Sequence, residues 1–232
     1  MKKDNSVADK TNKPNEKIPS KQKILVQAAN LFAAKGYTET SIRELALVVG
    51  MKGSSIYNHF PSKNAILEYM LNDYWIMNTG IFKEKDYFLT LKNNPTSDGI
   101  LDCLVLSFPE GKEEYYGKLL CVILQEQHRN PIIRKFVAEE MILFAENNFK
   151  SVTTALIELN IIRHDTDPDF WAEMVSGIFY AFANRMMLGI CDGIPEPTDI
   201  SMSDMLKSLF AAIRRMLKSL FDMMFNECGI QN

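Results

Sequence analysis

Thr40-Ser41-Ile42-Arg43-Glu44-Leu45-Ala46, then Gly50, then Met51-Lys52-Gly53-Ser54-Ser55-Ile56-Tyr57-Asn58-His59-Phe60-Pro61-Ser62-Lys63 carries two short helices and the turn between them. Ser41 with Glu44 three residues later is a capping box, in which the hydroxyl takes the Glu44 amide and the carboxylate reaches back. Ile42, Leu45, Ala46 and Val49 fall on one helical face. Gly50 ends that helix, because glycine reverses the chain without a Cβ clash. A second short helix is expected from Lys52 or Gly53 to His59, with Ile56 and Phe60 inward. Ala46 is small where the two helices approach. Pro61-Ser62 opens the next helix, with Ser62 as its cap. Upstream, Ile24, Ala28, Leu31 and Phe32 share one face of a helix running from near Ser20 to Lys35-Gly36, with Gly36 placed for a left-handed cap. Three short helices around a glycine turn read as a helix-turn-helix unit.

Outside this unit only helical patterns occur. Helices are expected at 63–80, 98–107, 112–129, 131–160, 167–191 and 202–226, separated by Pro-, Gly- and Asn-containing breaks. Eleven Gly and nine Pro in 232 residues are few, and 47% apolar with 24% charged residues is ordinary for a globular chain. The fold class expected is all-α: an N-terminal three-helix helix-turn-helix domain and a C-terminal helical domain. Residues 1–19 are polar and read as a disordered basic arm, 20–66 as the helix-turn-helix domain, and 67–232 as the helical body. No run reaches the ~18 apolar residues of a spanning helix, so no membrane partner is expected. No export signal is visible, and Cys103, Cys121, Cys191 and Cys228 include no close pair, which reads as a reduced, cytoplasmic protein.

Charge separates the two ends. Residues 1–64 hold 11 Lys/Arg against 5 Asp/Glu, whereas residues 65–232 hold 15 against 24. Most of the N-terminal excess lies in the folded stretch after residue 19. A basic head on an acidic body implies an anionic partner at one end only. Gly53, Ser54 and Ser55 are short enough to let a helix enter the DNA major groove, with Lys52 beside them. Tyr57, His59 and Lys63 suit phosphate contacts. Arg43 suits a bidentate guanine contact, or else a surface pair with Glu39 or Glu44; Tyr57 serves either phosphate or core. His59 has no second ligand at helical spacing, so no metal site is expected.

The stretch from Thr40 to Lys63, with the Gly36-Tyr37 stop before it, resembles the DNA-binding domain of TetR-type (tetracycline-repressor-like) transcriptional regulators. The resemblance covers roughly residues 20–70. One departure is Met51-Lys52-Gly53-Ser54, where the family often has Val-Ser/Thr-x-Gly/Pro. The resemblance implies an all-helical C-terminal domain, base contacts from the Arg43, Ser54 and Ser55 positions, and phosphate contacts from Tyr57, His59 and Lys63. With Thr40, Ser41, Lys52 and Gly53, these form the expected interface with double-stranded operator DNA.

The resemblance also implies a homodimer and a small-molecule effector. The helices at 167–191 and 202–226 carry apolar stripes: Phe170, Met174, Gly177 and Ile178 on the first, Ile213, Leu217, Leu220 and Met224 on the second. These are expected either to form half of a four-helix dimer interface or to pack within one subunit. Phe108, Tyr116, Gln125, His128, Phe144, Asn148 and Phe182 are the residues expected to line an effector pocket for an apolar or amphipathic molecule, plain core being the alternative. No phosphate loop, nucleophile elbow or metal spacing is present, so no catalytic residue, cofactor or metal is expected. The function expected is a dimeric, effector-released repressor. The competing reading is an effector-independent architectural or adaptor DNA-binding protein.

Overall fold

The computed structural model describes residues 19–83, 87–103, 109, 111–187 and 202–228. Phe108, Cys191 and the arm at 1–18 lie outside them. The described residues form α1 (Ser20–Lys35), α2 (Ile42–Val49), α3 (Gly53–Tyr57), α4 (Lys63–Lys83), α5 (Tyr87–Asn93), α6 (Ser97–Cys103), α7 (Glu113–Glu126), α8 (Pro131–Phe136), α9 (Leu143–Glu158), α10 (Pro168–Met187) and α11 (Met202–Cys228), with no strand among them. No helix among them is long and apolar enough to cross a membrane.

Local chemistry sets the helix ends. Ser41 accepts the Glu44 amide at 3.2 Å. Gly50, at φ +74°, closes α2 while the Met51 amide donates to the Ala46 carbonyl at 2.8 Å. Asn130 takes the amides of Ile132 and Ile133 ahead of Pro131, and Asp167 takes those of Asp169 and Phe170 ahead of Pro168. Two features depart from the expected helices. The seven-residue α5 was not foreseen, being too short for a periodic signal; it forms by packing on α6 and α9. The single helix expected over 131–160 is interrupted by a π-helical turn at Val137–Ile142. Residues eight apart on an unbroken α-helix differ by about 80° in direction. The wider turn re-phases the rod so that Phe136 and Phe144 both meet Trp75 edge-on, with ring centroids 6.3 and 4.9 Å away.

Head and body are clasped at one turn. Gly36 has φ +90° and ψ 157°, a conformation open to glycine and distinct from the left-handed cap expected there. It presents the Tyr37 amide to the buried Glu126 carboxylate of α7 at 2.9 Å, and a Cβ on Gly36 would stand 3.2 Å from that oxygen. Lys63, at the start of α4, donates to the carbonyls of Tyr37 (2.8 Å), Thr38 (3.3 Å) and Thr40 (2.8 Å) and lies over the Tyr37 ring. The Tyr37 hydroxyl donates to Asn64; burial, then Glu68 and Glu126, push its pKa to about 12, so it stays a neutral donor.

Two apolar cores result, and they do not divide at residue 66. The first joins α1–α3 to α4, the inner face of α7, and α8. The second packs α5, α6, α9, α10 and α11. The dimer-interface assignment on the last helix is corrected here. Ile213, Leu217, Leu220 and Met224 are buried in this second core against Leu101, Leu156, Trp171 and Val175. Lys218 anchors the same helix to Ser97 and Asp98 of α6. The stripe is consumed within the subunit, where α11 packs on α6, α7 and α10.

Leu217→Ala should therefore lose about 2–5 kcal/mol of stability in chemical denaturation, and Leu217→Glu should unfold the subunit rather than yield a folded monomer. Glu126→Ala orphans the buried Tyr37 amide, which should cost about 1–3 kcal/mol. Faster hydrogen exchange at the Tyr37 amide should reveal it.

Candidate nucleic-acid interface

On the outer side of the head, α2 and α3 border an open groove lined by Ser41, Ile42, Arg43, Glu44, Ala46, Leu47, Met51, Gly53 and Tyr57. Arg43 and Leu47, four residues apart, stand on one face of α2. Glu44 is engaged by Lys35 at 2.5 Å. That hydrogen bond, with the Ser41 backbone, holds the Glu44 carboxyl below its ordinary range. Arg43 itself is exposed and makes no ion pair among the described residues, so of the two readings offered for it the surface pair is not formed.

Lys52 is the N-cap of α3 and supplies no side-chain cap, its side chain lying in solvent. Gly53 follows, and a Cβ there would meet nothing within 4 Å. Ser54 and His59 are exposed, Ser55 is half-buried, and Tyr57 is 53% exposed, which removes the core alternative. The inward residues of the unit are Leu45, Ala46, Val49, Ile56 and Phe60. The structure thus brings Ser41, Arg43, Lys52, Gly53, Ser54, Ser55, Tyr57 and His59 to the outer side of the head.

Two expected interface residues are corrected. Thr40 is buried and its hydroxyl donates to the Gly36 carbonyl at 2.9 Å. Lys63 has its ammonium spent on the three carbonyls of the α1–α2 turn, and burial lowers its pKa. Both side chains shape the turn that presents α2. Leu47 was missed. It is an apolar residue off the buried stripe of its helix, which is a signal the sequence did contain.

In the body, Tyr116 is buried and its hydroxyl donates to Asp73 at 3.3 Å; burial first, then Asp73, push its pKa to about 12. It lines a cavity of about 400 Å³ between α1, α4 and the first turn of α7, together with Tyr69, Asp73 and Tyr115. The Tyr115 hydroxyl is buried with no hydrogen-bond partner of good geometry among the described residues, and burial first, then Asp73, pushes its pKa up. Phe144 is half-buried against Trp75, and the Asn148 amide donates to the Phe144 carbonyl at 2.7 Å. The expectation that Gln125 and His128 face inward is overturned, since both are exposed. The inward face of α7 runs Leu119, Val122, Ile123, Glu126 and Gln127, at helical spacing that excludes Gln125. Gln127 instead bonds Asn184 at 2.9 Å and accepts from the Tyr180 hydroxyl of α10. The Phe182 side chain lies outside the described residues.

Residues 24–70 match the family model of bacterial regulatory proteins, tetR family. The chain is 33% identical over 61 residues to the HTH-type transcriptional repressor KstR2 of Mycolicibacterium smegmatis, covering 26% of this chain and 30% of that protein. It is 44% identical over 48 residues to IcaR, the HTH-type negative transcriptional regulator of the biofilm operon icaADBC in Staphylococcus aureus, covering 21% of this chain and 26% of that protein. The chain thus spans less than a third of the length of each of these relatives. The fold extends further: the solved structure of GusR from Salmonella enterica superposes with a TM-score of 0.55 at 19% identity, covering 91% of this chain and all of that one. The helix-turn-helix segment thus matches the tetR family of bacterial regulatory proteins, and the all-helical architecture around it has the fold of GusR.

Proposed function

We propose that this protein is a homodimeric transcriptional repressor that binds a palindromic operator and is released by a small apolar or amphipathic effector. The observation that carries the reading is the outer side of the head, where Arg43 and Tyr57 line the open groove, Lys52, Ser54 and His59 are exposed and Ser55 is half-buried. In this reading residues 20–66 are the reading head and 67–232 the effector-binding and dimerisation body. Arg43, Ser54 and Ser55 read bases, while Tyr57, His59 and Lys52 hold phosphates. Negative regulation is supported by the names of the two relatives, a repressor and a negative regulator.

The cavity beside Tyr115 and Tyr116 is the proposed effector seat. Its aromatic and apolar walls, with Lys21, Gln22, Asp73 and Lys112 among the lining, suit an amphipathic molecule. One helix, α7, carries that wall at its first turn and the Glu126 clasp at its end. An occupant that shifts α7 would therefore move the head and change the separation of the two heads. For the dimer, the exposed face of α10 is the proposed seam. Phe170 is 56% exposed, Gly177 is exposed, and Met174 and Ile178 are half-buried between them.

Nuclease footprinting is the deciding experiment: a repressor protects a defined two-fold site, whereas an architectural binder protects none. Tyr57→Ala should weaken binding about equally on all sequences and lower the salt slope by about one unit. Arg43→Ala should lose ~1–3 kcal/mol of discrimination at one base pair per half-site. Gly177→Arg meets no atom within 4 Å of its Cβ in the subunit. It should leave the fold intact and yield monomers in light scattering. Effector and operator should weaken each other by the same factor, about 5–150-fold, in paired calorimetric titrations.

A further inference from the structure

Leu47 is 79% exposed, the most exposed large apolar side chain among the described residues. Its helix already buries Leu45, Ala46 and Val49, so the packing of the head makes no use of it. It borders the groove that also holds Arg43, Gly53 and Tyr57. Gly53 leaves a gap at the entry to α3, because nothing stands within 4 Å of where its Cβ would be. Leu47, Tyr57 and the exposed cation Arg43 line the same groove as Gly53, and Lys52, also exposed, directly precedes it in the chain. An apolar slot with a basic rim, on the face that carries the free guanidinium, matches one feature of the DNA major groove. Thymine alone presents a methyl group there, and apolar side chains read it by contact.

We propose that Leu47 and Gly53 form a slot for the 5-methyl group of a thymine near the base pair read by Arg43. This rests on the DNA-reading function above and adds a specificity determinant to it. Leu47 excludes water from the methyl group, and the missing Cβ of Gly53 lets the base edge approach. A base without a methyl leaves the slot partly empty.

The test uses the full chain and an operator selected from random duplexes by the unaltered protein. Each thymine of a half-site is replaced in turn by deoxyuridine, which keeps every hydrogen bond and removes only the methyl. Binding is followed by fluorescence anisotropy. One thymine position per half-site should lose about fourfold in affinity, the worth of one buried methyl-sized group. Leu47→Ala should bind the thymine and deoxyuridine duplexes equally while keeping the salt dependence of the unaltered protein. Gly53→Ala, which meets no neighbour in the free protein, should weaken the thymine duplex more than the deoxyuridine one. Melting temperatures of both variants check that the head stays folded. Equal affinity for every deoxyuridine duplex, or a methyl effect that survives in Leu47→Ala, overturns the slot and leaves DNA reading intact. Failure to enrich any operator overturns the DNA-reading function and the slot with it.

Discussion

The contact on which the arrangement of this protein depends is the hydrogen bond from the Tyr37 amide to the buried Glu126 carboxylate. A carboxylate removed from water is costly unless it is satisfied, so Glu126 holds its position only while the turn after α1 is present to donate. The turn in turn exists because Gly36 takes a backbone conformation closed to other residues and leaves room for the carboxylate. Lys63 gathers three carbonyls of the same turn from the opposite side. Three helices, α1, α4 and α7, are thereby tied at one point, and the apolar contacts of the first core fill in around it.

That joint explains why the head is not an independent module on a linker. Lys118 of α7 also reaches Asn30 of α1 at 2.8 Å, so the first helix of the head lies along a helix of the body. At the end of α7, the neighbouring residues Glu126 and Gln127 face different partners: one holds the head, the other holds Tyr180 and Asn184 on α10. Two adjacent buried polar side chains thus connect the head to α10. Buried polar groups of this kind permit few alternative partners, so a shift at one end has few ways to be absorbed locally.

The corrections share a cause. Ile213, Leu217, Leu220 and Met224 were read from an apolar stripe that any covering helix would show, and a stripe does not say whether its partner belongs to the same chain. Lys63 and Thr40 were read as surface groups from residue type. A lysine ammonium, with three donors and no acceptor, serves a cluster of main-chain carbonyls as well as it serves a phosphate. Gln125 and His128 were placed by composition alone, and a rotation of about 100° per residue along α7 put Glu126 and Gln127 inward instead.

The chain by itself determined the all-helical class, the capping box at Ser41, the stop at Gly50, and the exposure of Arg43, Lys52, Ser54, Tyr57 and His59. These are local matters, decided by hydrogen bonds within a few residues and by which face of a short helix is apolar. Only the tertiary structure decided that Gly36 serves a carboxylate ninety residues away, that Lys63 closes a turn, that α11 spends its stripe inside the subunit, and that a π turn aligns Phe136 and Phe144 on Trp75. Those outcomes depend on which distant surfaces compete for the same side chain, and that competition is settled by packing rather than by periodicity.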